Sequence, residues 1–264
     1  MNTRSSTSRQ GNPGNQDRFS GIADTIVRSA GKLQKRWQPK PRRIEERPGS
    51  HSSSSRTSQL ERETRLRQYA LQEAQQGNHA AAIALFTQIL TTNPQSARDY
   101  NNRGLVYFQS GEMKQAIADY NRALQLDDSL DSVYNNRANY YAAQGKFLEA
   151  ILDYDAALDL NPANGRAWLN QGITLRELRM FDRAVECFDF ALKLGRIESH
   201  IYAERGRTYH VWGDWNCALA DYQRAIDTLS LPTVAATGIT TRLRLQLEVW
   251  KDELLRPLGR MNEG

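Results

Sequence analysis

The chain is poor in the residues that carry most protein chemistry, with 2 cysteines and 4 histidines among 264 residues. Cys187 and Cys217 stand apart without a Cys-x-x-Cys pairing, which excludes a disulfide framework or a zinc site and leaves buried thiols in a reducing compartment as the expectation. His51, His79, His200 and His210 are scattered, and no Ser, Cys or carboxylate pair stands at catalytic spacing from them. Glycine-rich phosphate loops and metal-ligand spacings are missing as well, so no cofactor, no metal and no catalysis are expected. No run approaches the ~20 apolar residues that span a bilayer, and no charged-apolar-cleavage pattern marks a secretory signal. A cytoplasmic protein is the expectation. Met1 to Arg9, with serine and arginine but no acid, equally fits an organelle transit peptide.

Charge is unevenly spread. Residues 1–58 carry 12 Lys/Arg against 4 Asp/Glu, whereas the remainder carries 23 against 26, so the basic balance belongs to the tail alone. Rich in Ser, Arg, Pro, Gly and Gln, this tail cannot bury enough apolar surface to offset its chain entropy and is expected to be disordered. Within it, Phe19, Ile22, Ile26, Ala30, Leu33 and Trp37 recur at spacings of three and four, with Arg28, Lys32, Lys35 and Arg36 beside them. An amphipathic basic helix over 19–37 follows, ended by Pro39 and Pro41. Residues 19–43 thereby leave open contact with an anionic membrane or nucleic acid, and with it an alternative role as a membrane- or nucleic-acid-tethered factor.

What is abundant is repetition. Ala70, Gly104, Ala138, Gly172 and Gly206 recur every 34 residues, and so do Phe86, Tyr120, Tyr154, Phe188 and Tyr222. A fixed period in this range belongs to solenoids, whose units stack in one dimension and whose usual product is a surface. The register gives five units, 63–96, 97–130, 131–164, 165–198 and 199–232. Each half unit places apolar or small residues at i, i+3, i+4 and i+7, which predicts two amphipathic helices joined by a short turn. Ala138 and Ala150 are small where the two helices cross, so that backbones can approach. Tyr134, Tyr141, Phe147 and Tyr154 supply buried area. Gly111, Gly145 and Gly213 stand where the first helix must end left-handed, and Pro94 and Pro162 stop the second. Asp128 and Arg196 take the proline's place in units two and four.

These positions resemble the tetratricopeptide repeat family. Tyr100, Gly104, Tyr107, Met113, Ala116, Tyr120 and Ala123 fit the family's positions 4, 8, 11, 17, 20, 24 and 27, while Arg103, Arg137 and Arg205 at position 7 depart from its bulky apolar residue. Unit one diverges most, with Ile89 for the usual alanine and His79 for the usual aromatic, as a solvent-facing cap would. The resemblance implies an all-α fold, a right-handed α-solenoid of five tetratricopeptide helix pairs plus a C-terminal capping helix, preceded by the disordered basic tail. It also implies a non-catalytic scaffold, adaptor or assembly factor that binds a protein or peptide segment in its concave groove.

Positions 2, 5, 6, 9, 12 and 13 of each unit fall opposite the packing residues and are expected to line that groove. Position 6 gives Asn102, Asn136 and Asn170, a ladder of amides that can each donate to and accept from a peptide backbone. Asn139 joins it from position 9. Arg98 and Arg166 at position 2, with Arg176 and Arg207 deeper, add cations for acidic side chains or a terminal carboxylate. The two-carboxylate clamp of some relatives, which grips chaperone tails, finds no matching residue set here.

Beyond Ser230, a closing helix is expected from Pro232 to about Arg256, with Pro257 ending it. Ile239, Leu243, Leu247, Trp250 and Leu254 form its covering stripe. Leu245 and Val249 fall off the stripe and are expected to stay exposed, which leaves weak self-association through this end open.

Overall fold

The computed structural model of the protein describes residues 53–195, 197–230 and 238–259. The basic tail up to residue 52, with the helix expected over 19–37, the 19–43 contact segment and His51, lies outside the described residues. So do Arg196 and Pro232. All described residues belong to one compact unit, Arg43–Gly264.

Among the described residues the secondary structure is eleven helices and no strand. In order they are α1 (Ser53–Gln75), α2 (His79–Thr92), α3 (Ala97–Gln109), α4 (Met113–Leu126), α5 (Asp131–Ala143), α6 (Phe147–Leu160), α7 (Gly165–Glu177), α8 (Phe181–Lys193), α9 (Glu198–Trp212), α10 (Trp215–Leu229) and α11 (Gly238–Gly259). Consecutive helices pack in pairs from α1·α2 to α9·α10, each pair also touching the next, and α11 closes on α9 and α10. No described helix is long and apolar enough to cross a membrane.

Two of these helices differ from expectation. α1 begins at Ser53, inside the serine run assigned to the disordered tail. Once a helix is nucleated each further residue adds a hydrogen bond, so a polar stretch can ride on the packed turns behind it. α11 runs through Pro257 to Gly259; a proline in a last turn forfeits one N–H and does not end the helix before itself.

The core is a column of rings. Phe86, Tyr120, Tyr154, Phe188 and Tyr222 are all fully buried or within 1 % of it. Each lies under the small residue of the facing first helix. A Cβ on Gly104, Gly172 or Gly206 would come within 2.9, 2.7 and 2.8 Å of the ring of Tyr120, Phe188 and Tyr222. Position 8 is therefore small because the ring at position 24 occupies the space. At the turn between paired helices Gly77, Gly111, Gly145 and Gly213 hold φ of +82°, +84°, +69° and +96°. In unit four the same turn is made by Arg179 at φ +59°, a conformation that disfavours any side chain.

The arginines at position 7 are the fold's periodic clasp. Arg103 donates to Asp119 through Nε and Nη2 at 2.7 and 2.8 Å, Arg137 to Asp153 at 2.7 and 2.8 Å, and Arg205 to Asp221 at 2.7 and 2.9 Å. Each carboxylate lies sixteen residues on, in the second helix of the same unit. The remaining Nη1 reaches back to the second helix of the preceding unit, to Thr87, Asn121 and Asp189 respectively. Tyrosines at positions 4 and 11 flank the guanidinium: Arg103 lies 5.6 Å from both the Tyr100 and Tyr107 ring centres, and Arg137 lies 5.7 and 5.9 Å from those of Tyr134 and Tyr141. A planar cation that stacks on aromatic faces and forks onto a carboxylate suits this slot as an aliphatic residue could not. Unit four makes the same link without charge on the first helix. Gln171 donates to Asp155 of unit three at 2.6 Å and accepts from the Cys187 thiol at 3.5 Å.

Candidate functional site

Helix starts are set locally. Ser96, Asn164 and Asp214 accept from the backbone N–H of Asp99, Ala167 and Cys217, which caps α3, α7 and α10. The caps of α3 and α7 place Arg98 and Arg166 as the second residues of their helices, one turn before Asn102 and Asn170 on the same face. Both arginines are exposed and both asparagines half-buried. Neither arginine has an ion-pair partner among the described residues. A cation in the first turn of a helix opposes the helix dipole at a cost of about 0.3–1 kcal/mol. These two charges are therefore unfavourable to the dipoles of their own helices.

The amides between them are partly committed. Asn136 donates to Asn101 Oδ1 at 3.0 Å and accepts from Asn135 at 3.4 Å. Asn135 Oδ1 is buried without a hydrogen-bond partner among the described residues. Asn139 accepts from the Tyr154 hydroxyl at 2.6 Å, and burial holds that phenol well above the usual tyrosine range.

Arg176 and Arg207 are spent inside the molecule. Arg176 donates to the Glu204 carboxylate at 2.7 Å and to its carbonyl at 3.3 Å, tying α7 to α9, with Glu177 at 3.5 Å. Arg207 donates to Glu253 of α11 at 3.1 Å and lies 5.4 Å over the Trp250 ring. It also lies 3.3 Å from His210 Nδ1, which is 3.2 Å from the Tyr222 hydroxyl. Burial and the Arg207 charge hold His210 below the usual histidine range, and burial pushes Tyr222 up to about 12. The structure thus separates Arg98 and Arg166, which have no carboxylate partner among the described residues, from Arg176 and Arg207, which are neutralised.

Burial pushes the Cys187 thiol up to about 12, as an inert core thiol requires. Cys217 is exposed, against the expectation of burial. It sits in the first turn of α10, and Asp214 holds its thiol above the usual range. Sequence reasoning also passed over Trp212 and Trp215, exposed by 44 % and 46 %. They line a shallow cavity of about 550 Å³ with Gly213, Asp214 and Asn216. Two tryptophans flanking a Gly-Asp turn were the available signal.

Two family models match the chain, one described as a TPR repeat over residues 104–145 and one as a tetratricopeptide repeat over 132–164. No curated protein matches. Among solved structures, a thermophilic TPR protein of Thermus thermophilus is similar at 20 % identity and a TM-score of 0.61, over 71 % of this chain and 98 % of that one. PilF of Pseudomonas aeruginosa is similar at 21 % identity and a TM-score of 0.60, over 78 % and 95 %. A tetratricopeptide repeat protein of Parabacteroides merdae is similar at 18 % identity and a TM-score of 0.56, over 76 % and 78 %. At such identities the structures speak to the fold alone. The chain thus carries tetratricopeptide repeats: models of that repeat match within residues 104–164, and the period of 34 and the stacked helix pairs continue the same pattern on either side.

Proposed function

We propose that the protein is a non-catalytic scaffold that binds an acidic segment of a partner protein along its first helices, with Arg98 and Arg166 as the anionic grips. The carrying observation is that, among the described residues, these two of the four candidate arginines have no carboxylate partner and stand at helix N-termini, where a cation is disfavoured. Asn102 and Asn170, one turn further on, add amide donors and acceptors for the partner's backbone, and Asn136 and Asn139 extend the row between them. Carboxylates of the partner would gain charge-assisted hydrogen bonds at both arginines.

The test is a random-peptide display selection on the immobilised full-length protein. Enrichment of acidic peptides, lost on the Arg98→Glu/Arg166→Glu variant, is the expected result. Enrichment without acidic bias, or an identical set on the variant, would overturn the reading.

A further inference from the structure

α11 stands where the first helix of a further pair would stand, and no described second helix covers its outer face. Its inner face is engaged by the described residues. Leu247 and Leu254 are buried, Leu243 and Trp250 pack on the same cluster, and Trp250 stacks on Tyr222 with ring centres 5.9 Å apart. Arg244 and Lys251 add hydrogen bonds to Ser230 and Gln223. On the opposite face Arg242, Leu245, Val249 and Asp252 follow at steps of three, four and three, which aligns them along one side of the helix. Leu245 is 59 % exposed and Val249 55 %. Arg242 and Asp252 are exposed and have no ion-pair partner among the described residues.

This face is self-complementary. Leu245 and Val249 lie two residues on either side of Leu247, and Arg242 and Asp252 lie five on either side. A second α11 laid antiparallel, with the two-fold axis near Leu247, therefore sets Leu245 against the partner's Val249 and Arg242 against the partner's Asp252, each pairing occurring twice. Isologous contacts demand this reciprocity. A parallel arrangement would face Arg242 with the partner's Arg242 and Asp252 with the partner's Asp252, so the charges select the direction.

We propose that the outer face of α11 is a self-association surface, on which a second copy of this chain docks antiparallel to form a two-fold dimer. With two large apolar side chains from each copy, the contact stands at the small end of specific interfaces, so a dimer with a dissociation constant of about 0.1 mM is expected.

Sedimentation equilibrium on the full-length protein, from about 10 μM to about 1 mM, brackets that constant. The wild type should rise from monomer toward dimer mass. Arg242→Asp and Asp252→Arg should each stay monomeric, because like charges then face one another twice. An equimolar mixture of the two variants should dimerise again, since every contact in the mixed dimer is of opposite sign. Unchanged thermal midpoints would show that both variants are folded. A wild type that remains monomeric throughout, single variants that dimerise as the wild type does, or a mixture that stays monomeric would each overturn the proposal.

Discussion

Unit four solves with an uncharged side chain at position 7 what units two, three and five solve with an arginine. Where those units place an arginine between tyrosines and against an aspartate, unit four has Gln171 beside Trp168 and Leu175, with Cys187 in the aspartate's place. Both members of the pair change together, and the backward link to the preceding unit survives the change. Position 7 thus joins neighbouring helices in all four units, whatever chemistry does it. The turn of the same unit also departs, with Arg179 in the left-handed conformation that glycine holds elsewhere.

Breaking the clasp in the two kinds of unit should separate them most. Asp153→Ala strands the Arg137 guanidinium between its tyrosines without a carboxylate, and a loss of about 3 kcal/mol is expected in chemical denaturation. Cys187→Ala removes one weak thiol bond and a little packing, for about 1 kcal/mol. Similar losses from the two would show that position 7 does no more in unit three than in unit four.

The turns sharpen the contrast at smaller scale. Arg179→Gly should raise stability by about 1 kcal/mol, and Gly145→Arg should lower it by about as much, because open space surrounds Gly145 and only its φ resists a side chain. Both shifts are readable as thermal midpoints.

The ring column offers a third pair. Tyr154→Phe removes the hydroxyl that Asn139 accepts from and should cost about 1 kcal/mol. The Tyr120 hydroxyl is buried without a partner among the described residues, so Tyr120→Phe should be neutral or gain up to about 1 kcal/mol.

The smallest effect is a pH dependence at the unit-four clasp, where Gln171 meets Asp155. Burial holds the Asp155 carboxyl above the ordinary carboxylate range, with Gln171 and Arg183 opposing. Folding therefore favours the protonated form. That contribution is complete below the ordinary carboxylate pKa and is lost as pH rises through the raised folded value. Asp155→Asn, which keeps an acceptor for Gln171, should be more stable than wild type near neutrality, and the gain should vanish in acid. Paired melts from about pH 3 to about pH 7 check it.

Much of this was legible in the period of 34. The helix pairs, the small residues under the rings, the left-handed glycines and the Leu243, Leu247, Trp250 and Leu254 stripe all follow from local spacing, which a sequence displays directly. The clasp was not read, and Arg103, Arg137 and Arg205 stood only as departures from an apolar pattern. Its signal was the recurrence of Arg and Asp sixteen apart, with simultaneous exchange of both in unit four. The commitment of Arg176 to Glu204 and of Arg207 to Glu253 depends on how units stack, and no spacing within one helix encodes it. Gly77, which turns unit one as its counterparts do, was missed because that unit diverges around it.

The division of labour among the arginines leads to one decisive measurement. Clasped arginines hold the array, and Arg98 and Arg166, without an ion pair among the described residues, are the proposed grips for a partner. An acidic peptide taken from the display selection should bind the full-length wild type with an affinity that falls as salt rises, and Arg98→Glu/Arg166→Glu should lose at least ~10-fold of it at an unchanged thermal midpoint. Undiminished affinity in that variant, or a fall matched by loss of folding, would contradict the account.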